Sequence, residues 1–102
     1  MKLNVVLFQE GPYWVAQGLE HDITAQGKKI PDALYELQRL LVGYIALRQQ
    51  KNLPPLELDL PKAPEIYWRR YEEASSRLEP RERISLSSQV PVDVQSEYRV
   101  AA

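Results

Sequence analysis

The chain has 102 residues, of which 44% are hydrophobic and 26% are charged, and its formal net charge is −1. This size favours one domain with one modest core, and the composition excludes a collagen or a coiled coil. A helical membrane protein is excluded because no run of about 18 apolar residues occurs. Charges of both signs are interspersed, which argues against nucleic-acid binding by this chain alone. Cysteine is absent, which excludes a disulfide framework and most zinc modules and agrees with a cytoplasmic location.

The N-terminal part of the chain has the pattern of a three-stranded antiparallel meander. Residues 3–9 are rich in apolar and β-branched side chains, which favour a strand. A turn at Gly11 then leads into a second strand over residues 13–19. After a polar corner at residues 20–22, we expect a third, shorter strand over residues 23–27.

A long amphipathic helix should follow the meander. The hydrophobic period changes from two residues to 3.6 at residues 28–30. From Ile30 to about Asn52 the apolar residues recur at the i, i+3, i+4 and i+7 spacing of a helix. Pro31 suits the first turn, where its missing N–H is harmless. Gly43 lies inside this helix at a cost of up to about 1 kcal/mol against alanine, and we expect another backbone to approach it closely.

Three more segments complete the predicted fold. Residues 56–60 alternate between flanking prolines and predict a fourth strand, which the crossover rule places beside the first strand and parallel to it. Residues 64–78 predict a second helix. Residues 84–100 alternate again, as in an edge strand, in an arm that pairs with a second copy, or in a partly disordered tail. We therefore expect an α+β domain over residues 1–80 and a C-terminal extension over residues 81–102.

Few residues in this sequence suggest chemistry. His21 is the only histidine, and we interpret it as a surface-loop residue because no Ser–His–Asp or Cys–His pattern accompanies it. Glu57 and Asp59 share one face of the predicted fourth strand, where outward charges more often prevent edge aggregation than bind metal. The sequence thus predicts a protein that is not an enzyme, with no catalytic residue, no metal and no cofactor.

The order of these elements and three short motifs resemble the HicB-like antitoxin domain. The motifs are Tyr13-Trp14-Val15-Ala16 in the second strand, Gln26-Gly27 before the helix and Asp32-Ala33-Leu34 at its start. The matching stretch runs from Val5 to about Tyr71. The resemblance implies a βββαβ(α) fold in which one long helix packs on a sheet of reduced ribonuclease-H-like type.

The chain departs from this family pattern at three places. Lys29 stands where the family commonly has a threonine N-cap, and lysine is a poor cap. Glu20-His21-Asp22 replaces the frequent Pro-Gly-Cys type of loop. Arg83-Ile84-Ser85-Leu86-Ser87 could begin a DNA-binding ribbon-helix-helix, but the sequence stops before two helices could follow, so operator binding is not part of the expectation.

The resemblance implies a protein that forms dimers or tetramers and inactivates a small ribonuclease toxin of the HicA type by occlusion. Glu20 and Asp22 are candidate partner-binding residues because acidic charges would attract a basic toxin. Trp68 is a third candidate because it lies off the apolar stripe of the second predicted helix. The alternative is an orphan relative that forms homo-oligomers and has no toxin. A remnant hydrolase is disfavoured, since such nucleases need several metal-binding carboxylates and fold analogy alone is weak support.

Overall fold

A computed structural model describes residues 2–53, 60–74, 76–77 and 96–101 of the chain, and the structural statements that follow concern these residues. They form an α+β fold in which one helix covers each face of a single mixed sheet. The elements in chain order are β1 (Val5–Glu10), β2 (Tyr13–Gly18), β3 (Thr24–Gly27), α1 (Ile30–Gln50), α2 (Glu65–Glu73), β4 (Ser76–Arg77) and β5 (Tyr98–Val100).

The meander expected from the N-terminal sequence is confirmed. β1 pairs antiparallel with β2, so that Val5 lies opposite Gly18, and β2 pairs antiparallel with β3, so that Trp14 lies opposite Gly27. Gly11 has a φ of +58° in the turn between β1 and β2, a conformation that glycine adopts without steric cost. The apolar and β-branched content of these segments and one turn residue were therefore sufficient to predict this half of the sheet.

The long helix is also confirmed, with Pro31 in its first turn and no side-chain cap from Lys29. The N-terminus of α1 lies directly on the end of β3. The approach is so close that a Cβ atom at Gly27 would come within 2.6 Å of the backbone nitrogen of Ala33. Glycine is required there by this close approach. At Gly43 the expectation was wrong, since no atom of the described part of the chain would lie within 4 Å of a Cβ atom there.

The order of strands in the sheet is β3-β2-β1-β5-β4 and differs from the one expected. The position beside β1 and parallel to it is occupied by β5, with Val5 opposite Tyr98, and not by residues 56–60. Because β2 occupies the other side of β1, no place at β1 is left for the predicted fourth strand. Residues 54–59, with Glu57 and Asp59, lie outside the described residues. Both segments are short and alternating, so periodicity could not decide between them.

Residues 98–100 therefore contribute an interior strand, which differs from the edge strand that was one of the three expectations for the C-terminal segment. β5 lies between β1 and β4, and its pairing with β1 is extended by hydrogen bonds from Val5 N to Glu97 O (3.0 Å) and from Ala101 N to Leu7 O (2.8 Å). The second helix ends at Glu73, earlier than residue 78, and the residues after it pair with β5 as β4. Pairing in the sheet thus outweighs the helical pattern of this stretch.

Two hydrophobic clusters form the core, one on each face of the sheet. The cluster on the α1 face includes Leu3, Val5, Leu7 and Ala16 of the sheet region and Ala33, Leu34, Leu37, Leu41 and Ile45 of α1. The cluster on the α2 face includes Val6, Phe8, Leu19, Ala63 and Tyr71. Covering on both faces explains why β1 has consecutive apolar residues from Val5 to Phe8 rather than an alternating pattern.

Candidate functional site

The acidic corner between β2 and β3, residues 20–22, is held in place by hydrogen bonds to distant parts of the chain. The Glu20 carboxylate accepts hydrogen bonds from Asn4 N (2.6 Å) and Asn4 Nδ2 (3.0 Å). Asp22 is exposed, and its Oδ1 accepts a hydrogen bond from Gln17 Nε2 (2.8 Å). Glu20 therefore has a structural partner inside the chain, whereas Asp22 keeps one carboxylate oxygen available at the surface.

His21, expected in a surface loop, is buried instead, with an exposed fraction of 6%. The corner folds back on itself through hydrogen bonds from Ile23 N to His21 O and from Gly18 N to Ile23 O, both 2.8 Å long. His21 is therefore buried at a tightly folded corner. A polar tripeptide in the sequence predicts a turn but does not predict which of its side chains becomes buried.

Trp68 lies close to the acidic corner, although 46 residues or more separate them in the sequence. Asp22 N donates to Pro61 O (2.7 Å), and Ala63 N donates to Leu19 O (2.9 Å). The half-buried Trp68 then donates its indole N–H to Ala63 O at 3.2 Å. Asp22 and Trp68 therefore both bond to one segment, residues 61–63, and Glu20 adjoins Asp22 in the chain; we call the region formed by these three candidate residues and residues 61–63 the corner surface.

Sequence reasoning missed a polar cluster that joins α2, the start of β5 and the N-terminus, which we call the Tyr71 network. The Tyr71 hydroxyl donates to the Glu97 carboxylate, which also accepts from Arg99 Nε at 3.2 Å. The Arg99 guanidinium lies 4.2 Å from the centroid of the Tyr71 ring and donates to the Tyr71 carbonyl at 3.2 Å. Glu97 N donates to Asn4 Oδ1 (3.1 Å), which connects the network to the corner surface.

The electrostatics of this network favour a neutral tyrosine. Burial, followed by the hydrogen bond to Glu97, raises the pKa of the Tyr71 hydroxyl to about 12, although the positive charge of Arg99 acts in the opposite direction. A phenol with this pKa holds its proton throughout the neutral range, so it serves here as a hydrogen-bond donor and not as a base. In the sequence, the only sign of this polar network was the charged Arg99 between the apolar residues Tyr98 and Val100.

A groove of about 700 Å³ lies between the end of α2 and the ends of the central strands. Phe8, Trp14, Val100, Arg70 and Glu73 are among the residues that line it. The Arg70 guanidinium is 4.4 Å from the centroid of the Phe8 ring. Aromatic and arginine side chains are enriched in protein interfaces, and the described lining has no histidine, serine, threonine or cysteine. The groove is thus suited to binding through contact.

A metal site is absent from the described ranges of the chain, because no three His, Cys, Asp or Glu side chains there come together as a metal-binding group. Likewise, no helix in these ranges is long and apolar enough to cross a membrane. No family model matches the chain, and comparison with curated proteins and with solved structures finds no match either.

Proposed function

We propose that this chain is a HicB-like protein-binding domain that neutralises a small ribonuclease toxin of the HicA type by covering it. The three motifs of the resemblance support the proposal. So do the meander, the long helix after it and the presence of a strand parallel to β1, although that strand comes from the C-terminal part of the chain. The proposal assigns binding to the chain and leaves the chemistry to the toxin.

The observation that carries the proposal is the convergence of Asp22 and Trp68 on the corner surface. The half-buried indole of Trp68 supplies a large amphipathic contact surface. Tryptophan is among the residue types most enriched in binding hot spots. The carboxylate of Asp22, an exposed residue that bonds to the same segment, suits a basic partner and would speed association. Both residues are fixed to the segment at 61–63 by hydrogen bonds, so little conformational entropy should be lost on binding.

The test combines the purified chain with a toxin candidate, namely the product of an adjacent short and basic gene, in a ribonuclease assay. We expect an excess of the chain to suppress RNA cleavage. Trp68→Ala should raise the dissociation constant of the complex about tenfold or more, since truncation of a hot-spot aromatic residue typically has an effect of this size. If RNA cleavage continues with saturating wild-type chain, the antitoxin function is wrong.

The contribution of charge needs a substitution that preserves the local hydrogen bond. Asp22→Asn keeps an oxygen that accepts from Gln17 but removes the negative charge. We expect a slower association rate at low salt, with the difference from wild type vanishing at high salt. Asp32→Asn makes the same change at another exposed position, on α1, and should have no such effect. Equal association rates for all three proteins would contradict a role for the corner charge.

One observation favours the alternative of an orphan domain that forms homo-oligomers without a toxin. Helix α1 has three large apolar side chains at the surface, Tyr35 (57% exposed), Leu40 (48%) and Leu47 (50%). Exposed apolar groups on one element suit a further protein contact, and a second copy would supply it. An isolated gene, with no toxin candidate beside it, would favour this alternative.

A further inference from the structure

Along strand β3 runs a row of outward backbone hydrogen-bonding groups with which no described strand pairs. The strand lies at one edge of the sheet. Ile23 O accepts from Gly18 N of the neighbouring chain segment, so the alternation of an antiparallel strand directs the N–H and C=O groups of Thr24 and Gln26 outward. Edge strands are usually protected by charged residues or proline, and Thr24–Gly27 has neither.

The side chains along this edge are complementary to themselves in reverse order. Asp22, Thr24, Gln26 and Lys28 occupy alternate positions and are all exposed. Asp22 and Thr24 share one face, because Gln17, which lies opposite Thr24, reaches Asp22 with its side-chain amide. Alternation along the strand places Gln26 on the same face, and Lys28 is the next alternate position, one residue beyond the end of β3. The row therefore begins with an acid, continues through two neutral polar side chains and ends with a base.

We propose that β3 is the site where a second copy of this chain pairs, antiparallel and around a two-fold axis at Ala25. The axis brings Ala25 opposite Ala25 of the second copy and Thr24 opposite Gln26, whose outward N–H and C=O groups then exchange hydrogen bonds in both directions. The Asp22 backbone N–H is already donated to Pro61 O, so main-chain pairing between the copies is confined to Thr24 and Gln26. The same register places the exposed side chain of Asp22 opposite that of Lys28 of the second copy at each end of the interface. The two sheets become one continuous sheet.

The charges select this register among the symmetric ones. A shift in one direction places Asp22 opposite Ile30, which is already in α1. A shift in the other direction places Lys28 opposite Glu20, whose carboxylate is bonded within its own chain. The arrangement centred on Ala25 is the one that joins two exposed and opposite charges at both ends.

The position of α1 adds apolar contact to the strand pairing. Helix α1 packs chiefly against β3, and a two-fold axis perpendicular to the sheet keeps both α1 helices on the same face, next to each other. Each flank of α1 carries exposed apolar side chains, with Tyr35 on one side and Leu40 and Leu47 on the other. Burial of one flank supplies the area that a four-residue strand pairing lacks. This inference rests on the self-association part of the proposed function and does not depend on a toxin.

The test is the oligomeric state of the full chain, measured by analytical ultracentrifugation over a range of concentrations. Gln26→Pro removes an outward N–H and leaves the pairing of β2 with β3 intact, so we expect a folded monomer. Lys28→Asp converts two attractive contacts into two repulsive ones and should raise the dimer dissociation constant about tenfold or more. Adding Asp22→Lys to that variant restores the pairs in reverse and should recover most of the affinity.

A control and two readouts make the result decisive. Lys51→Asp makes the same charge change at the far end of α1 and should leave the dissociation constant within about twofold, as expected for a surface change outside the interface. Circular dichroism identifies any variant that has failed to fold, in which case Lys28→Asp and the reversed pair decide alone. A wild-type monomer at about 100 μM, or a dimer that tolerates Gln26→Pro and Lys28→Asp, would overturn the proposal. The oligomeric state is measured without a toxin and the antitoxin function in a ribonuclease assay with the wild-type chain, so the failure of one is distinguished from the failure of the other.

Discussion

Removal of one hydroxyl group, in Tyr71→Phe, should lower the free energy of unfolding and change its pH dependence in a defined way. The substitution deletes the donor to the Glu97 carboxylate and leaves the ring in the α2-side cluster, 4.2 Å from the Arg99 guanidinium. Hydrogen bonds to charged groups contribute about 1.5–3 kcal/mol. Because this one is only partly buried, we expect a loss of about 1–2 kcal/mol at pH 7.

The pH dependence follows from the proton affinity of the Tyr71 hydroxyl. Its pKa is about 12 in the native state against 10.0 for an ordinary tyrosine, so between these values the native state holds a proton that the unfolded chain has lost. The resulting stabilisation is complete below pH 10 and is lost as the pH rises through 12. At about 1.4 kcal/mol per pH unit, roughly half of a total of about 2.7 kcal/mol is lost by pH 11.

The assay is urea unfolding of wild type and Tyr71→Phe at pH 7, 9, 10 and 11. The difference between the two proteins removes the contributions of every group that both proteins share. We expect this difference to be constant from pH 7 to 9 and to fall by about 1.4 kcal/mol at pH 11. Tyr35→Phe, at a side chain that is 57% exposed, should match wild type throughout. The same difference at pH 9 and 11, or none at pH 7, would refute the role given to the Glu97 contact.

Three further predictions, made on five substitutions, test the fold by chemical denaturation. Gly27→Ala should lower the free energy of unfolding by about 2 kcal/mol or more, because its Cβ atom would collide with backbone at the start of α1, whereas Gly43→Ala should raise it by up to about 1 kcal/mol. Lys29→Asp should raise the stability by about 0.5–2 kcal/mol, since the N-cap of α1 lacks a side-chain hydrogen bond; no gain would contradict that helix start. Leu37→Ala should cost about 2–5 kcal/mol, while Leu40→Ala, at a half-exposed position on the same helix, should cost much less; equal losses would contradict the assigned buried face of α1.

Local features of the fold could be predicted well from the sequence. Strands and helices each have a characteristic pattern of apolar residues, with a period of two residues in a strand and 3.6 in a helix. A short window of sequence is therefore enough to recognise the meander and α1. Gly11 and Pro31 marked a turn and a helix start for equally local reasons. Partner binding by Asp22 and Trp68 stays a prediction, although the structure now places them together.

The candidate sites depended instead on contacts between distant segments. Glu97 N meets Asn4 Oδ1 across 93 residues of chain, and the Tyr71 hydroxyl meets the Glu97 carboxylate across 26. Nothing in the local pattern of either segment indicates the other. The same reasoning explains why the burial of His21 and the proximity of Trp68 to the acidic corner were not foreseen.

Local sequence pattern was enough to predict the three strands of the meander, the long helix α1 and the apolar face of that helix. Only the tertiary structure decided that β5 lies beside β1, that the second helix ends at Glu73, and that His21 at the corner is buried. The hydrophobic period of a segment shows that one of its faces is buried, but it does not show which other segment covers that face. The choice of a neighbour in a sheet is a competition among distant segments, and its outcome depends on the free energy of the whole chain.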